Sequence, residues 1–506
     1  MMEKRGSGVL LHITSLPGPY GIGDLGAGAR RFIDFLVDAG QQYWQFLPIG
    51  PCCGIFDNSP YMSLSAFAGN PLFIDPEQLV GDGLLADSDL RDLPEMSEYL
   101  VDFAAVVPFK SGLLRRAYEN FQHQRHEGGF ADFCRSEAAW LEDHALFLAL
   151  RDEQHQQAWS QWPYELAARN AKALAASRRR LAGEVEFQRF VQYIFFKQWQ
   201  GLRQYAKGRG VSLIGDIPIY VSYDSVDVWA HRDCFRLDER TMQPTHVAGV
   251  PPDYFSDTGQ RWGNPLYRWR KGGGKANLSL YKWWQARFRH IFRDVDIVRI
   301  DHFRGFEAFW EIDAGEETAI NGRWVKGPGR AFFDAMASAI GELPIIAEDL
   351  GVITPEVEAL RDGLGFPGMK VLQFAFDSDA DNLYLPHNYQ NPNCVVYTGT
   401  HDNDTTLGWY FSPEVPDASK ARARRYANGS GDAIHWDFLR MALASVARTA
   451  IVPLQDLLGF GADCRMNTPS TSSGNWRWRC ASRFLDDALA SRLREEVTFY
   501  GRDPRP

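Results

Sequence analysis

The chain has 506 residues, 45% of them hydrophobic and 13% aromatic, and its 54 Lys plus Arg against 64 Asp plus Glu leave a formal net charge of −10. That length allows roughly two to four ordinary domains or one large barrel with insertions. The acidic balance argues against nucleic acid or an anionic membrane as the partner and for a neutral ligand.

The N-terminal stretch carries charge and then an apolar run, 9 to 16 (VLLHITSL), that is already patterned as a first strand. No stretch approaches the ~18 consecutive apolar residues of a membrane span. Residues 21 to 26, GIGDLG, have the spacing of a dinucleotide loop. The first glycine lies several residues past the strand, however, and the second strand ends in Pro48-Ile49-Gly50 with no acidic residue to hold a ribose, so a turn is predicted. Phe32, Phe35, Leu36 and Ala39 recur at helical spacing and Gly40 stops the helix. The second strand is read at 43 to 49. A long interval, 50 to 210, follows as an insertion that is helix-rich from about residue 110, and its basic stretch from Ser177 reads as a solvated helix face.

The third strand is read at 211 to 220. The next interval, 221 to 296, is a second insertion, and its segment 248 to 266, rich in Gly, Pro and aromatics, reads as a structured loop over the barrel mouth. KGGGKA at 271 to 276 lacks the spacing of a phosphate loop and reads as flexible. Five more apolar runs follow: 297 to 303, 343 to 350, 369 to 376, 394 to 400 and 450 to 458. Near-continuous apolar strands alternating with helices are the signature of a parallel sheet buried on both faces. The fold class predicted is α/β, a (β/α)₈ TIM barrel formed by one catalytic unit over 1 to 506, with its chemistry at the C-terminal strand ends. Seven scattered cysteines without C-x-x-C or zinc spacing predict a reducing, cytoplasmic setting and no metal or disulfide.

Those strand ends are acidic. Asp216 closes the third run, Asp301 the fourth, Glu348 and Asp349 the fifth, Asp377 the sixth and Asp402 the seventh, with His302 and His401 beside two of them. Any one such Asp, taken alone, is more often a helix cap or an ion-pair partner. In a barrel, however, these ends converge on one pocket. Arg299, two residues before Asp301 and so on the same strand face, is placed to hold that carboxylate ionised. A carboxylate cluster suits either a divalent cation or acid/base and nucleophilic work at an acetal carbon. Sixteen Trp and nineteen Tyr, with Tyr61, Tyr254, Phe255 and Trp262 on inter-strand segments, favour stacked sugar rings and hence the second chemistry.

The strings SPY (59 to 61), GDIPIYV (215 to 221), AGVPPDYFSDTGQRWGNPLY (248 to 267), RIDHFRG (299 to 305), AEDLG (347 to 351), GMKVLQFAF (368 to 376), YTGTHDNDTT (397 to 406) and RMNTP with GNWRWR (465 to 479) resemble those of 4-α-glucanotransferases of the amylomaltase or disproportionating type, glycoside hydrolase family 77. The resemblance implies a cofactor-free retaining transferase on an amylase-type barrel without a C-terminal β-sandwich, acting on maltooligosaccharides and α-glucans. Carried onto this chain, Asp301 is the nucleophile, Glu348 the acid/base and Asp402 the transition-state stabiliser. The charges of Asp301 and Asp402 would raise the Glu348 pKa. Tyr61, Asp216, Arg299, His302, His401 and Asn467 would line the reacting subsite and Trp262 the acceptor side. Packing alone is the other reading of His302, and loop anchoring that of Trp262. Two departures stand out. PCCGIFDN at 51 to 58 replaces a segment expected to be shorter and to bear a tyrosine, and Ser470 stands where the family pattern has Gly, a strained choice if the site needs a positive φ. A hydrolase of the same superfamily and a non-catalytic glucan-binding barrel are the competing readings.

Overall fold

A computed structural model of the chain describes residues 4–91, 94–124, 129–252 and 256–504. Its strands, in chain order, are β1 (Gly6–Leu10), β2 (Tyr43–Gln45), β3 (Ser212–Pro218), β4 (His246–Val250), β5 (Gln260–Pro265) and β6 (Ile297–Asp301). They continue with β7 (Ala308–Asp313), β8 (Gly322–Lys326), β9 (Ile345–Ala347), β10 (Gly368–Val371), β11 (Cys394–Tyr397) and β12 (Thr449–Pro453). Eight of these form one parallel sheet in the order β10-β11-β12-β1-β2-β3-β6-β9. The two outer strands come back together: Ala347 N donates to Pro367 O at 2.9 Å, and Met369 N to the Asp349 carboxylate at 2.7 Å. The sheet is therefore a nearly closed (β/α)₈ barrel, and each of its eight strands overlaps one of the eight predicted runs.

The first strand begins earlier than predicted, at Gly6, and ends at Leu10. Its glycines hid it, because they have poor strand propensity, yet the packing needs one of them: a Cβ on Gly8 would lie 2.4 Å from the Tyr43 carbonyl oxygen of the neighbouring strand. Residues 13 to 15 leave the sheet as a short 3₁₀ turn. Outside the barrel, long helices Phe103–His123, Ala138–Glu153 and Ala182–Gly208 lie between β2 and β3. The last packs its apolar side inward, with Trp199 edge-on to Phe46 at 5.5 Å between ring centroids.

The segment predicted as a loop over the barrel mouth is a correction. Its described parts include β4 and β5, which join β7 and β8 in a four-stranded antiparallel sheet of order β5-β4-β7-β8. Tyr254 and Phe255 lie outside the described residues. Among the described residues no strand follows β12, and the chain closes with the helix Asp487–Phe499. No described helix is long and apolar enough to cross a membrane.

Candidate active site

At the C-terminal ends of β3 and β6 a single guanidinium organises the acidic cluster. Arg299 is buried in the barrel, donating Nη1 to Asp216 Oδ2 at 2.6 Å and Nη2 to Asp301 Oδ1 at 3.0 Å. The period-two spacing from Arg299 to Asp301 does what the sequence predicts, putting both on one strand face. Tyr61 Oη donates to the same Asp216 oxygen at 2.9 Å and lies 2.8 Å from His401 Nε2, its ring stacked on the imidazole at 5.3 Å. The loop behind Tyr61 is pinned by two glutamines of the helix Ala182–Gly208. Gln192 bridges Gly69 N and O, and Gln198 bridges Asp75 N and O.

Glu348, just past β9, is held by two backbone donors, His302 N at 2.7 Å to Oε2 and Leu350 N at 2.8 Å to Oε1. Its pKa is raised to about 8, by burial first, with Arg299 opposing and the Asp301 charge adding. Burial thus outweighs the repulsion by Asp301 and Asp402 expected from the sequence, while the direction of the shift is the expected one. Burial also raises Asp301, against Arg299 and with Asp402 adding, and raises Asp216 to about 7. The Arg299 guanidinium sits directly on Asp216 and Asp301 and favours their ionised forms, whereas the donors to Glu348 are neutral backbone N–H groups.

Asp402, in the turn after β11, completes the group, its charge acting on Asp301. Asn467 Nδ2 donates to its Oδ1 at 2.6 Å and His401 Nε2 lies 3.3 Å from its Oδ2. Asn467 thus touches the carboxylate itself. Arg465 and Trp476, whose roles the sequence does not predict, are also part of this site. Arg465 donates to the Asp402 carbonyl at 2.7 Å and to the Asn467 carbonyl at 2.6 Å, and Trp476 lies 5.9 Å from the Tyr61 ring. The signal that could have found Arg465 is its spacing, two residues before Asn467. Ser470 does adopt φ +67, as its departure from glycine foreshadowed, yet the Asn467 contact to Asp402 is intact. The altered 51–58 segment forms a 3₁₀ turn whose Asp57 accepts Asn475 N at 3.1 Å, tying the two unusual stretches together.

His302 holds φ +53 and is buried, its pKa lowered to about 3 by burial and then by the Arg304 charge. Its Nε2 has no partner among the described residues, and Trp262, now on β5, sits edge-on to the ring at 4.8 Å. Two of the strand-end acids lie elsewhere. Asp349 turns away to Arg361 and Met369 N, closing the barrel seam, and Asp377 is exposed and bonds Asn382. Being at a strand end does not fix which side of the chain an acid faces once the strand has ended.

A protein-family model described as 4-alpha-glucanotransferase matches residues 11–485. A 4-alpha-glucanotransferase of Synechocystis sp. is 49% identical over 506 residues, covering 99% of this chain and 99% of its own, and one of Thermus thermophilus is 48% identical with 98% of each covered. Among solved structures, amylomaltase from Streptococcus agalactiae in complex with acarbose superposes with a TM-score of 0.93 at 39% identity, covering 99% of this chain and 100% of that one. An amylomaltase from Corynebacterium glutamicum, at 18% identity and a TM-score of 0.79 over 99% of this chain and 76% of that one, shares the fold.

Proposed function

The chain belongs to the 4-α-glucanotransferase family, whose reaction moves α-1,4-glucan segments between chains, and from that premise we propose that Asp301, Glu348 and Asp402 carry this reaction by retaining double displacement. The observation that supports the assignment is the division of labour in the cluster: Asp301 paired with Arg299, Glu348 held by two backbone N–H groups with burial pushing its pKa up to about 8, Asp402 held by Asn467 and His401.

In the first half, an Asp301 oxygen attacks the anomeric carbon as Glu348 gives its proton to the departing glycosidic oxygen, and the donor's reducing-end fragment leaves. In the second, the Glu348 carboxylate takes the proton from an acceptor 4-hydroxyl, whose oxygen attacks the same carbon and displaces Asp301. Asp402 stabilises the positive charge that develops on the sugar between the two. Tyr61, Asp216, His302 and His401 line the reacting subsite, with the His302 Nε2, unpartnered among the described residues, available to a hydroxyl, and Trp262 faces the acceptor side. No cofactor takes part. The substrates are maltooligosaccharides and starch- or glycogen-type polymers, and a reducing cytoplasm suits the seven free cysteines. The intervals 50–210 and 221–296 act as insertions of one catalytic unit and frame the cleft.

Incubation with maltotriose and separation of products by chain length tests the reading. Longer oligomers together with glucose are expected. Shorter sugars alone would make the protein a hydrolase, and no change would leave only binding.

A further inference from the structure

A second set of contacts reaches Glu348 from outside the pocket. Arg304 lies in the 3₁₀ turn Phe303–Phe306 that follows β6, with 5% of its surface exposed. Its guanidinium stands 3.7 Å from the Trp324 ring centroid, and its Nη1 donates to the Val352 carbonyl in the loop after β9. That loop supplies Leu350 N to one Glu348 oxygen, and the residue leading the turn, His302, supplies its N to the other. Both backbone donors to Glu348 therefore belong to segments that Arg304 joins.

The end of β8 and the residues after it grip the turn from outside. Gly327 N donates to Glu307 O at 2.7 Å, Gly329 N donates to Phe306 O at 2.9 Å, and Lys326 pairs with Glu307. A Cβ on Gly327 would fall 2.2 Å from the Phe306 carbonyl oxygen, so that approach leaves no room for a side chain. His302 itself is left-handed, φ +53, and its backbone is bracketed by hydrogen bonds: its N donates to Glu348, Phe303 N donates to the Glu348 carbonyl and Gly305 N donates to the His302 carbonyl.

Packing alone does not call for an arginine here. A buried guanidinium whose Nε has no partner among the described residues costs more than an apolar side chain of the same length. What the guanidinium adds is a planar face to stack on Trp324 together with a hydrogen bond to a carbonyl across the gap.

We propose that Arg304, stacked on Trp324, is a positioning residue for the acid/base Glu348. It clamps the turn after β6 to the loop after β9 and so fixes the two N–H groups that aim the carboxyl at the glycosidic oxygen. This rests on the assignment of Glu348 as proton donor.

The test compares two substrates in Arg304→Met, Arg304→Lys, Trp324→Ala, Trp324→Phe and Glu348→Gln. One is maltotriose, whose leaving group needs a proton, and the other is α-glucosyl fluoride, whose leaving group does not. Arg304→Met and Trp324→Ala should lose about tenfold or more in kcat on maltotriose, with KM and the first-turnover release of fluoride within about twofold of the parent. Trp324→Phe should recover most of the maltotriose rate because a ring remains to stack on. Equal losses on the two substrates, or none, would overturn the proposal and leave Arg304 a support of the fold. Should Arg304→Met or Trp324→Ala fail to give a cooperative melt, Arg304→Lys decides. It keeps the charge without the planar stack and should lose maltotriose activity selectively, whereas parallel losses on the two substrates overturn the proposal. Glu348→Gln separates the clamp from the acid/base assignment: its retaining fluoride release while the clamp variants show no split sinks the clamp alone, and its losing both substrates alike sinks the acid/base assignment beneath it.

Discussion

With Glu348 as the proposed proton donor, its ionisation sets the upper pH boundary of the reaction. Its raised pKa of about 8 means that the proton-donating form is full below that value and is lost as pH rises through it. kcat/KM on maltotriose should therefore fall by ~tenfold per pH unit above the Glu348 pKa, and an initial-rate profile checks this. A profile flat through two further units would show that no group at this position donates the proton. At this scale the sequence is most informative where a strand is still running: Arg299 and Asp301 share a face because the pleat has period two. Asp216 meets Arg299 through the parallel register of β3 on β6, which no pattern within either strand announces. The sequence is least informative one or two residues past a strand end. There Glu348 turned inward and Asp349 turned to the barrel seam, a choice made by backbone donors, Leu350 N for one and Met369 N for the other, that no local pattern announces.

The antiparallel sheet β5-β4-β7-β8 was hidden at the scale of elements because Gly249, Gly263 and Pro265 lower strand propensity and because β4 finds its second partner about sixty residues on, where Gly249 pairs with Trp310. It matters because its edge strand β5 places Trp262 against His302. Transfer has to outcompete water at ~55 M, which a bound and oriented acceptor can do with an effective molarity on the order of 10⁵ M or more. Trp262→Ala removes the flat surface on which the acceptor would be held. It should lower transfer ~tenfold or more while changing hydrolysis little, so the share of free glucose with newly formed reducing ends rises when maltotriose products are quantified. An unchanged partition at any overall rate would move acceptor control to other residues.

The whole molecule is a ring closed twice, once at the β9–β10 seam and once near the chain ends. Arg502, fully buried, donates six hydrogen bonds to the carbonyls of Gly6, Ala442, Leu443, Ser445, Ala447 and Arg448, tying the start of β1 to the approach to β12. Arg502→Met leaves those carbonyls without their shared donor and should cost ~2–5 kcal/mol of stability, seen as a lower thermal midpoint with unchanged activity per folded molecule. A midpoint equal to the parent's would show that water replaces the arginine without loss. The barrel itself was legible because parallel strands buried on both faces are apolar throughout and recur between helices. Arg502 was not, since a charged residue near a chain end has no sequence feature that distinguishes it from a solvated one.

The nucleophile carries the whole mechanistic account, and it can be observed directly. Glu348→Gln incubated with α-glucosyl fluoride should form the covalent glycosyl-enzyme and then resolve it slowly, because the proton acceptor for the second step is gone. Proteolysis and peptide mass spectrometry should find the glucosyl group on the peptide carrying Asp301, at that residue. A label on Asp216 or Asp402, or fluoride release with no labelled peptide at any time, would contradict the assignment of Asp301 and with it the double displacement.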